Sequence, residues 1–205
     1  MTVLVEEFQV GVVSVQLFLP RFNVAPTQDI PVVRQTDNGR ELSWMRWGFI
    51  PPWAKDVKSG PLLLNARSET AAEKPAFRSA FKSTRCIIPA DGFYEWKKSS
   101  GKKQPYHIRR ADGKPFGFAG LWSRWRDIES CTILTTNANE LVSDMHDRMP
   151  VILSPKDYSA WLETDRERLL EMLRPFPASE MIAVAVNPIV NNARNEVPQC
   201  IEPII

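Results

Sequence analysis

Seventeen prolines are spread along a chain of 205 residues that holds only nine glycines, and this ratio limits the architecture more than any other feature. Proline fixes φ at about −65° and lacks an N–H, so it interrupts helix interiors and central strands. At about 8% of residues, against a usual ~5%, it favours many short strands and fixed turns over long helices. The turn chemistry agrees. Val32–Gln35 and Glu41–Trp47 flank Asp37-Asn38-Gly39, and Asn-Gly between alternating runs is the strongest short-range hairpin signal.

A second hairpin is predicted where Cys86–Trp96 and Gln104–Arg109 flank the polar Lys97–Lys103 stretch, with Asp112-Gly113 turning the chain toward Phe116–Trp122. Cys131–Thr136 and Ile182–Val186 read as buried strands. Helices are predicted over Thr70–Lys82, over Lys156–Glu163 with Ser154 as N-cap and Pro155 at the first position, and over Arg166–Leu173, ended by Pro175. Glu140–Ser143 reads as a short turn. No βαβ alternation, internal repeat or linker is present. The expectation is one antiparallel-rich α+β domain over residues 1–205.

Composition excludes several classes. Hydrophobic residues make up 43% and charged residues 24%, close to the globular average and far from disorder. Basic and acidic residues number 26 and 24, so any pull on a polyanion must come from a local patch. No apolar run approaches the ~18 residues of a membrane span. Val10–Leu19 is broken by Ser14 and Gln16 and preceded by Glu6 and Glu7, which is not signal-peptide chemistry; a cytoplasmic protein away from membranes is expected. Cys86, Cys131 and Cys200 form no C-x-x-C pair, and reduced thiols are the default. With phosphate loops and zinc-protease motifs absent, no cofactor or metal is expected.

Four segments mix ionisable or amide groups with prolines and aromatics: Arg21-Phe22-Asn23-Val24-Ala25-Pro26, Leu64-Asn65-Ala66-Arg67-Ser68-Glu69-Thr70, Ala90-Asp91-Gly92-Phe93-Tyr94-Glu95-Trp96-Lys97 and Asp144-Met145-His146-Asp147-Arg148-Met149-Pro150. With Trp47–Ala54, Arg85–Pro89 and the closing Val186–Pro203, they occur in the order seen in the SOS-response-associated peptidase family of abasic-site processing proteins. From about Pro20 to the C-terminus the chain resembles that family. The resemblance implies a twisted, barrel-like antiparallel β core flanked by short helices, with a positively charged groove for single-stranded DNA carrying an abasic site, in a monomeric protein.

In that family the open abasic site, an aldehyde, reacts with the amine of an N-terminal cysteine to give a Schiff base, which the thiol closes to a thiazolidine cross-link. The same family carries self-processing peptidase activity. Carried over by motif, Asn65 orients the amine, Glu95 shuttles protons and His146 assists opening of the deoxyribose ring. Arg67 and Arg148 contact phosphates, while Trp53, Trp96 and Pro26 lie near bases or sugars. Read without the motif, Glu95 is a solvated strand residue, His146 a loop histidine held by Asp144 or Asp147, and Asn65 a turn amide. Trp44, Trp161 and His107 read as structural, and Cys86 as a small core hydrophobe.

One departure matters. The family opens Met-Cys-Gly-Arg, whereas this chain opens Met1-Thr2-Val3-Leu4, and no cysteine precedes Cys86. Val3–Phe8 resembles the helix that follows the family's opening, so the given start is expected to lie downstream of the true one. A non-catalytic single-strand binder and a protein-directed cysteine peptidase are the alternatives.

Overall fold

The computed structural model describes residues 1–14, 19–57, 60–99, 101–163 and 166–204. The chain starts with α1 (Thr2–Glu7) and β1 (Val12–Val13), followed by β2 (Asp29–Thr36), β3 (Gly39–Trp47) and β4 (Asn65–Arg67). After α2 (Ser68–Ala71) and α3 (Arg78–Ser83) come β5 (Arg85–Ala90), β6 (Phe93–Ser99), β7 (Lys102–Arg110), β8 (Phe116–Trp125) and β9 (Ile128–Asn137). β10 (Arg148–Pro150), β11 (Ile152–Leu153), α4 (Tyr158–Glu163), α5 (Arg166–Met172) and β12 (Met181–Ala185) complete the regular elements, apart from short 3-10 turns.

The fold is α+β, and its centre is a closed ring of strands. β2 pairs with β3 and β5, β5 with β8, and β8 with β9, all antiparallel. A short parallel pairing, Arg46 with Ser130 and Trp47 with Cys131, returns β9 to β3 and closes the ring. Closure removes the free edges that a small sheet would otherwise expose. β9 then changes partners along its length: beyond the β3 pairing it takes β4 in parallel at 133–135 and β10 antiparallel at 135–137.

Period-two alternation divides the strand residues between inside and outside. Ile30, Val32, Met45, Cys86, Ile88, Phe118, Cys131 and Ile133 form one buried cluster. Their neighbours Val33, Leu42, Ile87, Ala119, Leu121 and Leu134 belong to another, with Phe8, Tyr158 and Trp161 of the helical layer. Trp161 is fully buried and donates from Nε1 to the Cys86 carbonyl at 2.8 Å; burial of a side chain of this kind contributes about 2–3 kcal/mol.

The predicted Asn-Gly hairpin is the β2–β3 turn, with Gly39 at φ +101°. Two predictions of continuous elements are corrected. Cys86–Trp96 is two strands in different sheets, because the chain breaks at Asp91-Gly92: β5 stays in the barrel, while β6 becomes the edge of a separate antiparallel sheet, β12-β7-β6. A Cβ on Gly92 would lie 2.1 Å from His107 Nε2, so only glycine lets the two layers approach there. Thr70–Lys82 is also divided, into α2 and α3 around Pro75. Ser154 makes no side-chain cap; its carbonyl accepts the Asp157 N–H at 2.8 Å and opens a 3-10 turn that leads into α4.

Candidate active site

One end of the barrel opens into a groove of about 1150 Å³. Its floor is the barrel interior itself, through Ile30, Ile88, Phe118 and Ile133. Because β9 exchanges β3 and β8 for β4 and β10 at this end, Asn65 and Arg67 on β4 and Arg148 on β10 flank Thr135 of β9. The opposite wall is the edge strand β6, whose Tyr94, Glu95 and Trp96 all reach the groove.

Seven of the eight sequence-predicted site residues line this groove: Asn65, Arg67, Glu95, His146, Arg148, Trp96 and Pro26. Trp53 does not; it stands 67% exposed in the loop after β3, away from the lining. Trp44, read as core, is only partly buried and also lines the groove. Trp161 and His107 are buried as expected, although the His107 ring borders the groove as well.

The imidazole of His146 acts on the carboxyl of Glu95. Burial pushes the Glu95 carboxyl above the ordinary carboxylate range, and the nearby His146 imidazole opposes that shift. His146 is held through Nδ1, which accepts the Arg148 N–H at 3.0 Å and lies 3.3 Å from Asp147 Oδ1. Its Nε2 makes no hydrogen bond among the described residues. A carboxyl whose burial favours its neutral form thus stands near a tethered imidazole, a pairing of groups suited to proton transfer.

The two arginines differ. Arg67 is exposed and forms no ion pair among the described residues. Arg148 is braced, with Nη1 and Nη2 on the two Glu69 carboxylate oxygens at 2.6 and 2.9 Å, and further bonds to Asn137 Oδ1 and the Thr135 carbonyl and hydroxyl. The hydrogen bond from Arg148 is the main cause holding the Glu69 carboxyl below its ordinary range. Glu69 and Thr135 were missed in the sequence: Glu69 stands in a notable segment, but nothing in its spacing points to Arg148.

A strap near the C-terminus sets the third wall, and it too was missed. Glu196 accepts the backbone N–H groups of Phe22 and Asn23 and pairs with Arg21 at 2.8 Å. Asn23 donates to the Val190 and Asn192 carbonyls, Tyr94 OH to the Phe22 carbonyl at 2.6 Å, and Trp96 Nε1 to Asn191 Oδ1 at 2.7 Å. These bonds tie the Arg21–Pro26 loop and β6 to residues 187–200.

No thiol belongs to this site. Cys86, Cys131 and Cys200 are all fully buried, and burial raises the Cys86 and Cys131 thiols well above their ordinary range. Among the described residues no group of three or more histidine, cysteine or acidic side chains is placed to hold a metal ion, and no helix is long and apolar enough to cross a membrane.

A small closed barrel, open at one end into a groove with a carboxyl, an imidazole, an amide and two guanidinium groups, defines a barrel protein with an acid–base groove. The SOS response associated peptidase (SRAP) family profile matches residues 2–193. The abasic site processing protein YoqW of Bacillus subtilis is 46% identical over 192 residues, covering 89% of this chain and 86% of that protein. The abasic site processing protein YedK of Escherichia coli is 34% identical, covering 90% and 85%. A crystal structure of a Bordetella bronchiseptica protein superposes with a TM-score of 0.80 at 36% identity, covering 91% of this chain and 95% of that one. The chain belongs to the SOS response associated peptidase family.

Proposed function

We propose that this protein processes abasic sites, holding single-stranded DNA in the groove with the lesion between Asn65, Glu95 and His146. The observation that carries this reading is the meeting of those three residues, from three distant segments, over one barrel mouth. His146 Nε2 assists opening of the deoxyribose to its aldehyde. A primary amine oriented by Asn65 adds to the aldehyde carbon; Glu95 protonates the oxygen, which departs as water, leaving a C=N bond. Ring closure then needs a thiol two carbons away from that nitrogen, whose sulfur adds to the imine carbon to close a five-membered ring while the thiol proton passes to the nitrogen. Arg67 and Arg148 hold phosphates, and Trp96 and Pro26 support bases or sugars.

An N-terminal cysteine supplies both amine and thiol, and self-processing at that end is the peptidase activity of this reading. The three buried cysteines cannot substitute. The sequence as it stands therefore binds abasic single strands without a thiazolidine cross-link, and an added N-terminal Met-Cys-Gly-Arg restores one. The buried thiols also favour a second reading, a member that binds abasic DNA without reacting. An oligonucleotide carrying a natural abasic site, run on native and denaturing gels with both versions, separates the two. Adduct with the extended version alone is the expected result. A heat-stable adduct from the unextended chain overturns the thiol requirement, and absence of native binding by both overturns the groove assignment.

A further inference from the structure

Beyond the groove, the β6–β7 hairpin carries an unbalanced charge. No acidic residue occurs between Trp96 and Asp112, whereas Lys97, Lys98, Lys102, Lys103, Arg109 and Arg110 all do. Lys97 is paired with Asp144 at 3.0 Å. Lys98 and Lys103 are exposed, stand directly opposite each other in the β6–β7 register, and make no ion pair among the described residues. Like charges in directly opposed positions destabilise a sheet, so this hairpin gains nothing for its own folding from the pair.

The placement gives the pair a direction. β12 covers β7 only from Tyr106 to Arg110, and Gln104 and Pro105 bond to Val186; beyond that point the hairpin has no further strand beside it among the described residues. Along one face of β6–β7 the opposed pairs run Tyr94 with His107, Trp96 with Pro105, and Lys98 with Lys103, because alternate residues share a face. Tyr94, Trp96 and His107 line the groove. The lysine pair is thus the next station on the same face, about 7 Å beyond Trp96 along the strand.

We propose that the Lys98–Lys103 pair is a second contact for nucleic acid, holding the phosphates of the strand as it leaves the groove past Trp96. The inference rests on the reading of the groove as a site for single-stranded DNA. The ligand is a polyanionic backbone, read without regard to sequence, since flexible ammonium groups act as point charges on phosphates.

The test compares Lys98→Gln/Lys103→Gln with wild type on two single strands carrying a tetrahydrofuran abasic analogue, a short one that spans the groove alone and a longer one extended on both sides. Wild type is expected to bind the longer strand more tightly. The double variant loses that advantage, and its salt slope on the long strand falls by roughly 1.4, two contacts at about 0.7 each. On the short strand the two proteins bind alike. Lys82→Gln/Lys156→Gln, two exposed changes in α3 and ahead of α4, removes the same net charge away from the groove and leaves the length advantage intact. The urea midpoint of the double variant does not fall, as expected where like charges face each other. An undiminished length advantage in the double variant, or equal losses on both strands, overturns the contact. Failure of wild type to bind either strand overturns the groove reading and the contact with it.

Discussion

The two mouths of the barrel are built from the same chemistry and behave differently. At the mouth away from the groove, Arg34 pairs with Glu41 at 2.9 Å and Glu129 at 2.8 Å, and its guanidinium lies 4.8 Å from the Trp122 ring centre. Ser14 donates to Glu41, and Arg124 donates to Glu129. The Ser14 hydrogen bond holds the Glu41 carboxyl low; at Glu129 burial works against ionisation, but hydrogen bonds from Arg34 and Arg124 outweigh it. Each of these four charges has an opposite partner. At the groove mouth Arg148 and Glu69 form an equally close pair, yet among the described residues Asn65, Arg67, Glu95 and His146 Nε2 are left around it with donors and acceptors to spare. An arginine–carboxylate pair closes one end and braces the other; polar groups with capacity left for a ligand stand beside the second pair.

The largest expected effect breaks the open mouth alone. In the protein carrying the N-terminal Cys-Gly-Arg extension, Glu95→Gln slows cross-linking by about 10²–10⁴, while binding of abasic single strands is unchanged. Parallel loss of both would make Glu95 structural. The same variant has a pH signature. Because the folded carboxyl is raised above its unfolded value, its contribution to stability is complete below the unfolded pKa and is lost as pH rises through the folded one. The stability difference between wild type and Glu95→Gln, from urea titrations, therefore shifts against wild type as pH climbs out of the ordinary carboxylate range.

Arg34→Met attacks the closed mouth. It leaves Glu41 and Glu129 without their shared cation and costs about 3 kcal/mol, roughly 6–12 °C in Tm for a chain of this size. DNA binding at equal folded fraction is unaffected; reduced affinity would show that the two mouths are coupled. A smaller effect separates Arg67 from Arg148. Arg67→Ala and Arg148→Ala each lower the salt slope of single-strand binding by about 0.7, but only Arg148→Ala also lowers Tm, since five hydrogen bonds leave with it. Equal melting of both variants would contradict the brace.

The smallest effect lies outside both mouths. The hydrogen bond from Arg110 lowers the Asp112 carboxyl to about 2. Its contribution is present above the unfolded pKa and lost as pH falls toward 2. At this half-exposed site Asp112→Asn costs less than ~1 kcal/mol at neutral pH, and the cost vanishes in acid. A cost independent of pH would mean that the turn geometry, not the charge, is what the substitution removes.

How much of this was legible in the sequence depends on how local the cause was. The β2–β3 hairpin was, because Asn38-Gly39 and the flanking alternation are adjacent in the chain. The break at Asp91-Gly92 was not: the run from Cys86 to Trp96 is evenly apolar and aromatic, and the reason it changes sheets is the His107 ring lying against Gly92. Pro75 could have divided the predicted helix. Asn65, Glu95 and His146 stood out through motif order, not through any physical pattern around each residue. Glu69 and Glu196 act through partners 79 and 174 residues away, and no spacing rule reaches that far.

The strap has a consequence in time. A chain emerging from the ribosome grows by about 5–20 residues per second, and every strand of the barrel has been made before Asn187 appears. Until residues 187–200 follow, roughly one second or a few later, Phe22 and Asn23 lack Glu196, and Trp96 lacks Asn191. A nascent chain can therefore complete its barrel while one side of its groove is still unbuilt, so the groove is finished only after the barrel has closed.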